Sequence, residues 1–255
     1  MSADYRIFND LFSGHAELYA RVRPQYPQQI YQHLAEIADC LDKAWDSGTG
    51  NGQAAISLAK IFNEVYATDA SASQIKHAIH HPRVKYSVKT SENTDYPNLF
   101  FDCITAVQAI HWYDLHNFYV EVDRVLKPGG LLCVWGYAWF IIAPEIDNVF
   151  SQTILKPIES YWAPETKLLH DEYIYLQLPY ESIEVPVFEI LESWNLIQLI
   201  GYLQSWSPMA AYRKDHGVSG VNELFSQLIN VWGDINNVRE IRMPIHMKIC
   251  RKPGK

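Results

Sequence analysis

Between Lys43 and Trp135 the chain alternates short apolar runs with amphipathic stretches, and this rhythm limits its fold more than any other feature. Lys43–Ser47, Glu64–Asp69, Val84–Val88, Phe101–Val107 and a run that begins at Leu131 have the length and composition of strands. The intervening stretches carry helical spacing: Ala55, Ile56, Leu58, Ala59 and Phe62 in one, and Leu115, Phe118, Tyr119, Val122, Val125 and Leu126 in another. An earlier helix begins at Pro27 and presents Ile30, Leu34 and Ile37 on one face. Ser71 and Asp114 are placed to cap helices, the first running to about His80, while Lys127-Pro128-Gly129-Gly130 ends the second. Strands alternating with helices at this pitch call for a doubly wound α/β fold whose mostly parallel sheet is covered on both faces.

After Trp135 the rhythm changes. Residues 136–180 are rich in aromatics and have no clear period, so the segment 138–180 is expected to be a small cap. Ser182 to Leu191 reads as a strand, a helix follows near Trp194 to Gln204, further helices reach about Trp232, and a last strand covers about Val238 to Cys250. The expectation is one domain over 1–255, with a core at 35–137, an N-terminal helical lid at 8–34 and a C-terminal part at 181–252. The aromatics of the second half, Trp139, Phe140, Tyr161, Trp162, Trp194 and Trp206 among them, either line an apolar substrate pocket or form the core of the cap; ordinary packing is the simpler account.

Composition narrows the partners. A chain that is 48% hydrophobic and 20% charged can bury a substantial core, and a net charge of -8 argues against a surface that tracks nucleic-acid phosphates. The four cysteines are scattered without metal-ligand spacing, and Cys103 and Cys133 sit in strand-like runs as small hydrophobes, so neither a metal site nor disulfides are expected. No stretch approaches the ~20 apolar residues of a membrane span, and the first residues lack the apolar core of a signal peptide. The expected setting is the cytoplasm, as a monomer or homodimer.

In open α/β sheets ligands bind beyond the carboxyl ends of the strands, which gathers four motifs along one edge. The strongest is Trp45-Asp46-Ser47-Gly48-Thr49-Gly50-Asn51-Gly52, where alternate glycines permit a tight strand-to-helix turn and close approach of the backbone to a ligand. Gln53 stands where a dinucleotide fingerprint needs glycine, and the lysine of a phosphate loop is missing, so a cationic cofactor without phosphate suits the turn better. Asp69 ends the second strand where a carboxylate can accept from both hydroxyls of a ribose; capping the next helix is its competing role, though Ser71 is available for that. Ser91-Glu92-Asn93 and Gln108 to Trp112 complete the edge.

These residues carry a resemblance. With Tyr19 to Pro27, Arg124 to Gly130 and Gly201 to Ser207, they make the chain similar over nearly its full length to the type 11 group of class I S-adenosylmethionine-dependent methyltransferases, and within it to the trans-aconitate methyltransferase-like proteins. The resemblance implies a Rossmann-like, seven-stranded sheet with its last strand antiparallel, S-adenosylmethionine as cofactor, and transfer of a methyl group to a small-molecule carboxylate or hydroxyl. It implies that the turn around Asp46, Gly48, Thr49, Gly50 and Gln53 cradles the methionine half, that Asp69 holds the ribose with Ala70 beneath the adenine, and that Ser91 and Glu92 flank the adenine. Gln108 would line the sulfonium end by its backbone. Tyr19 and Arg23 would close over the cofactor from an N-terminal helix, Arg21 being an equal partner for the methionine carboxylate. His111 and Trp112 face the expected transfer point, with His111 either a base or a positioning residue. A cofactor-binding or interaction protein that has lost the chemistry is the alternative, since fold does not fix function.

Overall fold

A computed structural model describes residues 24–254, which divide into two compact units. The sheet unit comprises Gln25–Trp139, Glu165–Glu189 and Pro244–Lys255; the helical unit includes Phe140–Pro164 and Ile190–Met243.

The elements of the sheet unit follow the expected alternation. In chain order they are α1 (Gln28–Ile37), β1 (Lys43–Ser47), α2 (Gln53–Leu58), β2 (Glu64–Asp69), α3 (Ala72–Lys76), β3 (Val84–Val88), β4 (Phe101–Val107), a single tight turn at Ile110–Trp112, α4 (Leu115–Val125) and β5 (Leu126–Gly136). The strand order is β3-β2-β1-β4-β5, all parallel, so the winding reverses between β1 and β4. β4 is buried almost throughout, as a central parallel strand covered on both faces must be. Helix α4 shows why these helices form: Asp114 accepts from Asn117 N at 3.3 Å, and Phe118, Val122 and Val125 fall on one buried face at i, i+4 and i+7. Phe118 packs edge-on against Trp45 of β1, with ring centroids 6.3 Å apart.

Three boundaries differ from the sequence reading. Helix α3 stops at Lys76 and not near His80, having no buried residue to extend it. Helix α4 ends at Val125, and β5 passes straight through Lys127 to Gly130, because Leu126 already pairs with Phe101 and Gly129 N donates to Lys252 O at 2.9 Å. The strand expected at 182–191 forms two pieces, β6 (Ser182–Ile183) and β7 (Phe188–Trp194), so the sheet has eight strands in place of seven. Pro186 lies in the break, where it has no N–H to give a ladder. The last strand, β8 (Arg239–Arg251), runs antiparallel to β5 and β6, as expected.

The helical unit holds α5 (Pro144–Phe150), which continues through a wider turn at Ser151–Leu155 to Ile158, then α7 (Leu196–Gln204) and α8 (Ser207–Trp232); α6 (Lys167–His170) belongs to the sheet unit. Asn195 and Gln198 form a reciprocal cap at the start of α7. Helix α8 kinks at Gly217, whose φ of 70° and ψ of -175° are not helical. The half-buried Trp206 has ring centroids 5.5 Å from Trp162, also half-buried, and 5.5 Å and 6.1 Å from the buried Tyr202 and Phe150. Of these aromatics, Phe150 and Tyr202 are buried in the core. Among the described residues no helix is long and apolar enough to cross a membrane.

Candidate active site at the carboxyl edge of the sheet

The winding reverses between β1 and β4, and in open α/β sheets the carboxyl edge at such a reversal is where ligands bind. The strand ends are level there: Ser47 pairs with Thr68 and Ala106, Asp69 with Val88, and Val107 with Trp135.

The turn after β1 is braced from beneath. Asp46 is fully buried, and its two oxygens accept from Thr49 Oγ1 at 2.6 Å and Thr105 Oγ1 at 2.7 Å. Burial pushes its carboxyl up to about 6, against the pull of those two hydroxyls and of the Ala55 N–H. The acid that the sequence reading sets against a cationic cofactor is therefore turned inward, as a buttress. Thr49 N donates to Thr68 O at 2.8 Å and ties the turn to β2. Gly48 and Gly50 both have positive φ, 67° and 57°, for different reasons. A Cβ on Gly48 would collide with the Tyr113 hydroxyl and stand 2.6 Å from Ala109 Cβ, whereas one on Gly50 would meet nothing within 4 Å among the described residues. Gly48 lets β1 and β4 close on each other, and Gly50 keeps the turn open to an approaching ligand. Gln53 opens α2 directly behind the turn.

Asp69 joins this turn to the end of β2. Its Oδ2 accepts from Gly50 N at 2.9 Å and its Oδ1 from Ser71 N at 2.8 Å, while the Ser71 hydroxyl caps α3 by accepting from Gln74 N at 3.3 Å. The cap is Ser71's work. Among the described residues each Asp69 oxygen has one donor, which leaves one lone-pair site on each. Ala70, next along, is exposed.

The remaining predicted residues gather around β4. Ser91 is buried, accepting from Ser47 Oγ at 2.6 Å, and Ser47 Oγ in turn accepts from the Tyr113 hydroxyl at 3.2 Å. Glu92 Oε1 accepts from Asp114 N at 3.2 Å. Gln108 has a positive φ of 56°, unusual for a residue with a Cβ. Its side-chain amide pairs both ways with the backbone of Tyr137, donating to O at 2.9 Å and accepting from N at 3.0 Å. His111 and Trp112 follow in the tight turn, their rings 5.0 Å apart; Trp112 is exposed, and Nδ1 of His111 is buried with no partner among the described residues. Burial, reinforced by His170, lowers His111 to about 4, and Glu165 opposes this.

Asp46, Gly48, Thr49, Gly50, Gln53, Asp69, Ala70, Ser91, Glu92, Gln108, His111 and Trp112 thus all lie at one edge of one unit, several in direct contact. Tyr19, Arg21 and Arg23 lie outside the described residues. Sequence reasoning assigned no role to Ser47, inside the glycine turn, or to Tyr113, the residue after Trp112; their hydroxyl relay crosses from β1 to the loop after β4 and shows only in the fold.

The sequence profile described as a methyltransferase domain matches residues 45–134, the span from β1 into β5. A protein of Dictyostelium discoideum named as a methyltransferase is 31% identical over 253 residues, covering 96% of each chain. The chain belongs to the class I S-adenosylmethionine-dependent methyltransferase family. A solved structure from Anaeromyxobacter dehalogenans, described as a type II methyltransferase, is 33% identical and superposes with a TM-score of 0.84, covering 91% of this chain and 99% of that one. The yeast protein CRG1 of Saccharomyces cerevisiae, named for S-adenosylmethionine-dependent methylation, is 25% identical over 143 residues, covering 52% of this chain and 49% of its own. The α/β methyltransferase fold with its mostly parallel sheet is therefore shared, and the glycine turn falls at the start of the matched domain.

Proposed function

We propose that this methyltransferase binds S-adenosylmethionine at the carboxyl edge of its sheet and methylates an oxygen, carboxylate or hydroxyl, of a small molecule by in-line displacement. The observation that carries the reading is the contact between loops from three strands: the Asp69 carboxylate on Gly50 N at 2.9 Å, and Gly48 pressed against Ala109 and Tyr113. When bound, the cofactor supplies a methyl group made electrophilic by a sulfonium.

The residues present fit such a group. Asp69 retains one lone pair per oxygen for the two ribose hydroxyls, with Ala70 exposed beside it for the adenine. The space above Gly50 admits the methionine half, with Thr49 and Gln53 holding the turn and Asp46 bracing it from below. Ser91 and Glu92 border the adenine side, and the backbone of Gln108 borders the sulfonium. Tyr19 and Arg23 are assigned to close over the cofactor, with Arg23 or, equally, Arg21 as the cation that pairs with the methionine carboxylate. His111 and Trp112 face the acceptor. An ionised carboxylate, of the trans-aconitate kind, would attack without a base, so that catalysis there reduces to alignment and desolvation; a hydroxyl needs its proton removed.

Calorimetric titration of the purified protein with S-adenosylmethionine tests the reading, and absence of saturable binding at millimolar cofactor overturns it. Release of S-adenosylhomocysteine in the presence of a metabolite extract separates a transferase from a protein that only binds. Asp69→Ala is expected to weaken cofactor binding by about 1–3 kcal/mol, the worth of its hydrogen bonds to ribose. Unchanged affinity in that variant would remove Asp69 from the site.

A further inference from the structure

The segment 89–100, between β3 and β4, forms neither helix nor strand, so its backbone polar groups must find partners elsewhere. It nonetheless buries Ser91, Thr94 and Tyr96. Most of its partners come from helix α4. Thr94 N donates to Glu121 Oε1 at 2.8 Å, and the Thr94 hydroxyl donates to the same oxygen. Arg124 forks across the other side: Nη1 donates to Tyr96 O at 2.6 Å and to Asn98 Oδ1 at 3.0 Å, and Nη2 donates to Thr94 O at 3.0 Å. Beyond them Leu99 N donates to Arg124 O at 2.9 Å and Phe100 N to Val125 O at 2.7 Å, which uses carbonyls that the end of a helix leaves open.

Glu121 and Arg124 stand one turn apart on α4 and hold each other as well. Arg124 Nε donates to Glu121 Oε2 at 2.8 Å and Nη2 to Oε1 at 2.7 Å, a two-point pair. The Glu121 side chain is 5% exposed. Burial opposes its ionisation, but the bonds from Arg124 and Thr94 outweigh burial and hold the carboxyl below its usual value. A buried charge is a costly fastening where apolar packing would serve. What it adds is direction, because the planar guanidinium fixes two carbonyls of the segment at once. The start of the same helix holds the upstream part of the segment, Glu92 Oε1 accepting from Asp114 N at 3.2 Å.

We propose that Glu121 and Arg124 are positioning residues that hold the 91–98 segment in place for the adenine of the cofactor, and so set the protein's selectivity for that base. This rests on the cofactor reading above, in which Ser91 and Glu92 border the adenine, and extends it to two residues that touch no ligand.

Thr94 is held at its N–H, its carbonyl and its hydroxyl, two residues from Glu92, so any slack in the pair passes directly to Glu92 and Ser91. The glycine turn that receives the methionine half is braced separately, by Asp46 on Thr49 and by Asp69 on Gly50. Loosening the segment therefore costs recognition of the base and spares the rest of the cofactor. The Lys89–Asp95 pair lies on the same segment but leaves Asp95 78% exposed, so water competes with it and it fixes little.

Calorimetric titration with S-adenosylhomocysteine and with S-inosylhomocysteine, whose base carries a carbonyl in place of the amino group, reads this selectivity. The wild type is expected to prefer the adenine compound by about tenfold or more, the worth of one well-placed hydrogen bond. Arg124→Lys keeps the charge beside Glu121 but loses the fork, and is expected to lower that preference about tenfold while binding the inosine compound as before. Glu121→Gln loses the ion pair yet keeps an acceptor for Thr94 N; it is expected to act alike and serves if Arg124→Lys does not fold. Asp95→Asn is expected to leave the preference unchanged. An undiminished preference in either folded variant overturns the proposal, as does equal weakening of both compounds, an equal loss in Asp95→Asn, or a wild type that binds the two bases alike. Failure of both compounds to bind the wild type would instead sink the cofactor reading beneath it.

Discussion

Asp46 is enclosed by the turn it supports, and its chemistry follows from that enclosure. Its carboxyl ordinarily ionises near 3.8, and burial raises it to about 6 in the folded chain, so the folded state binds the proton more tightly than the unfolded one. Stability from this group is therefore complete below about pH 4 and declines as pH rises through 6, by about 3 kcal/mol in all. Asp46→Asn has no such titration. The stability of the variant relative to wild type, measured by urea unfolding, is expected to rise by about 2.4 kcal/mol between pH 4 and pH 7; a flat difference would show that the acid is solvated. The same enclosure explains what was legible at this scale. Gly48, Gly50, Asp46 and Asp69 stood out because a turn that needs positive φ and a brace advertises itself locally, in adjacent letters. Which way the Asp46 carboxylate faces was not legible, because Thr105 lies 59 positions away along the chain.

Elements were legible wherever one face is buried and blurred wherever it is not. The strands of the core and helix α4 announced themselves by period, since each buries a continuous stripe. The helical run beginning at Pro144 escaped because it changes pitch at Ser151–Leu155, which scrambles any fixed spacing. Pro186, by contrast, is a plain signal that a strand through 182–191 must break. Gln108 joins two elements: its side-chain amide extends the pairing of β4 and β5 past their last residues, by two hydrogen bonds to Tyr137. Gln108→Ala keeps the unfavourable φ of 56° and loses both bonds, so a loss of about 2 kcal/mol is expected. Gln108→Gly loses the same bonds but sits easily at positive φ, recovering about 1 kcal/mol. Unfolding midpoints should therefore fall in the order wild type, Gly, Ala. An alanine variant more stable than the glycine variant would mean that the backbone there relaxes to an ordinary conformation.

The strand order makes the candidate site a property of the whole sheet unit. β1 and β4 are neighbours, with Ala44 paired to Cys103, although β2 and β3 come between them in sequence. Their carboxyl ends come together only once the long crossover has closed, and the loops there, at Gly48 to Gln53, Asp69 to Ser71 and Gln108 to Trp112, have no reason to meet in an unfolded chain. A ligand that spans them therefore binds the folded state alone and stabilises it by mass action. With S-adenosylhomocysteine at about 100 times its Kd, the free energy of opening the sheet rises by about 2.7 kcal/mol, which slows exchange through global opening about 100-fold. That slowing is expected at amides far from the ligand, such as Ile104 in β4 and Leu132 in β5, both 0% exposed, when exchange is compared with and without the compound by NMR or mass spectrometry. Slowing confined to Gly50 and Ser71, with the strand interiors unchanged, would mean that the compound rests on a loop that orders independently of the sheet. The reversal between β1 and β4 would then frame no site, because a crevice made by the fold cannot be filled without restraining the fold.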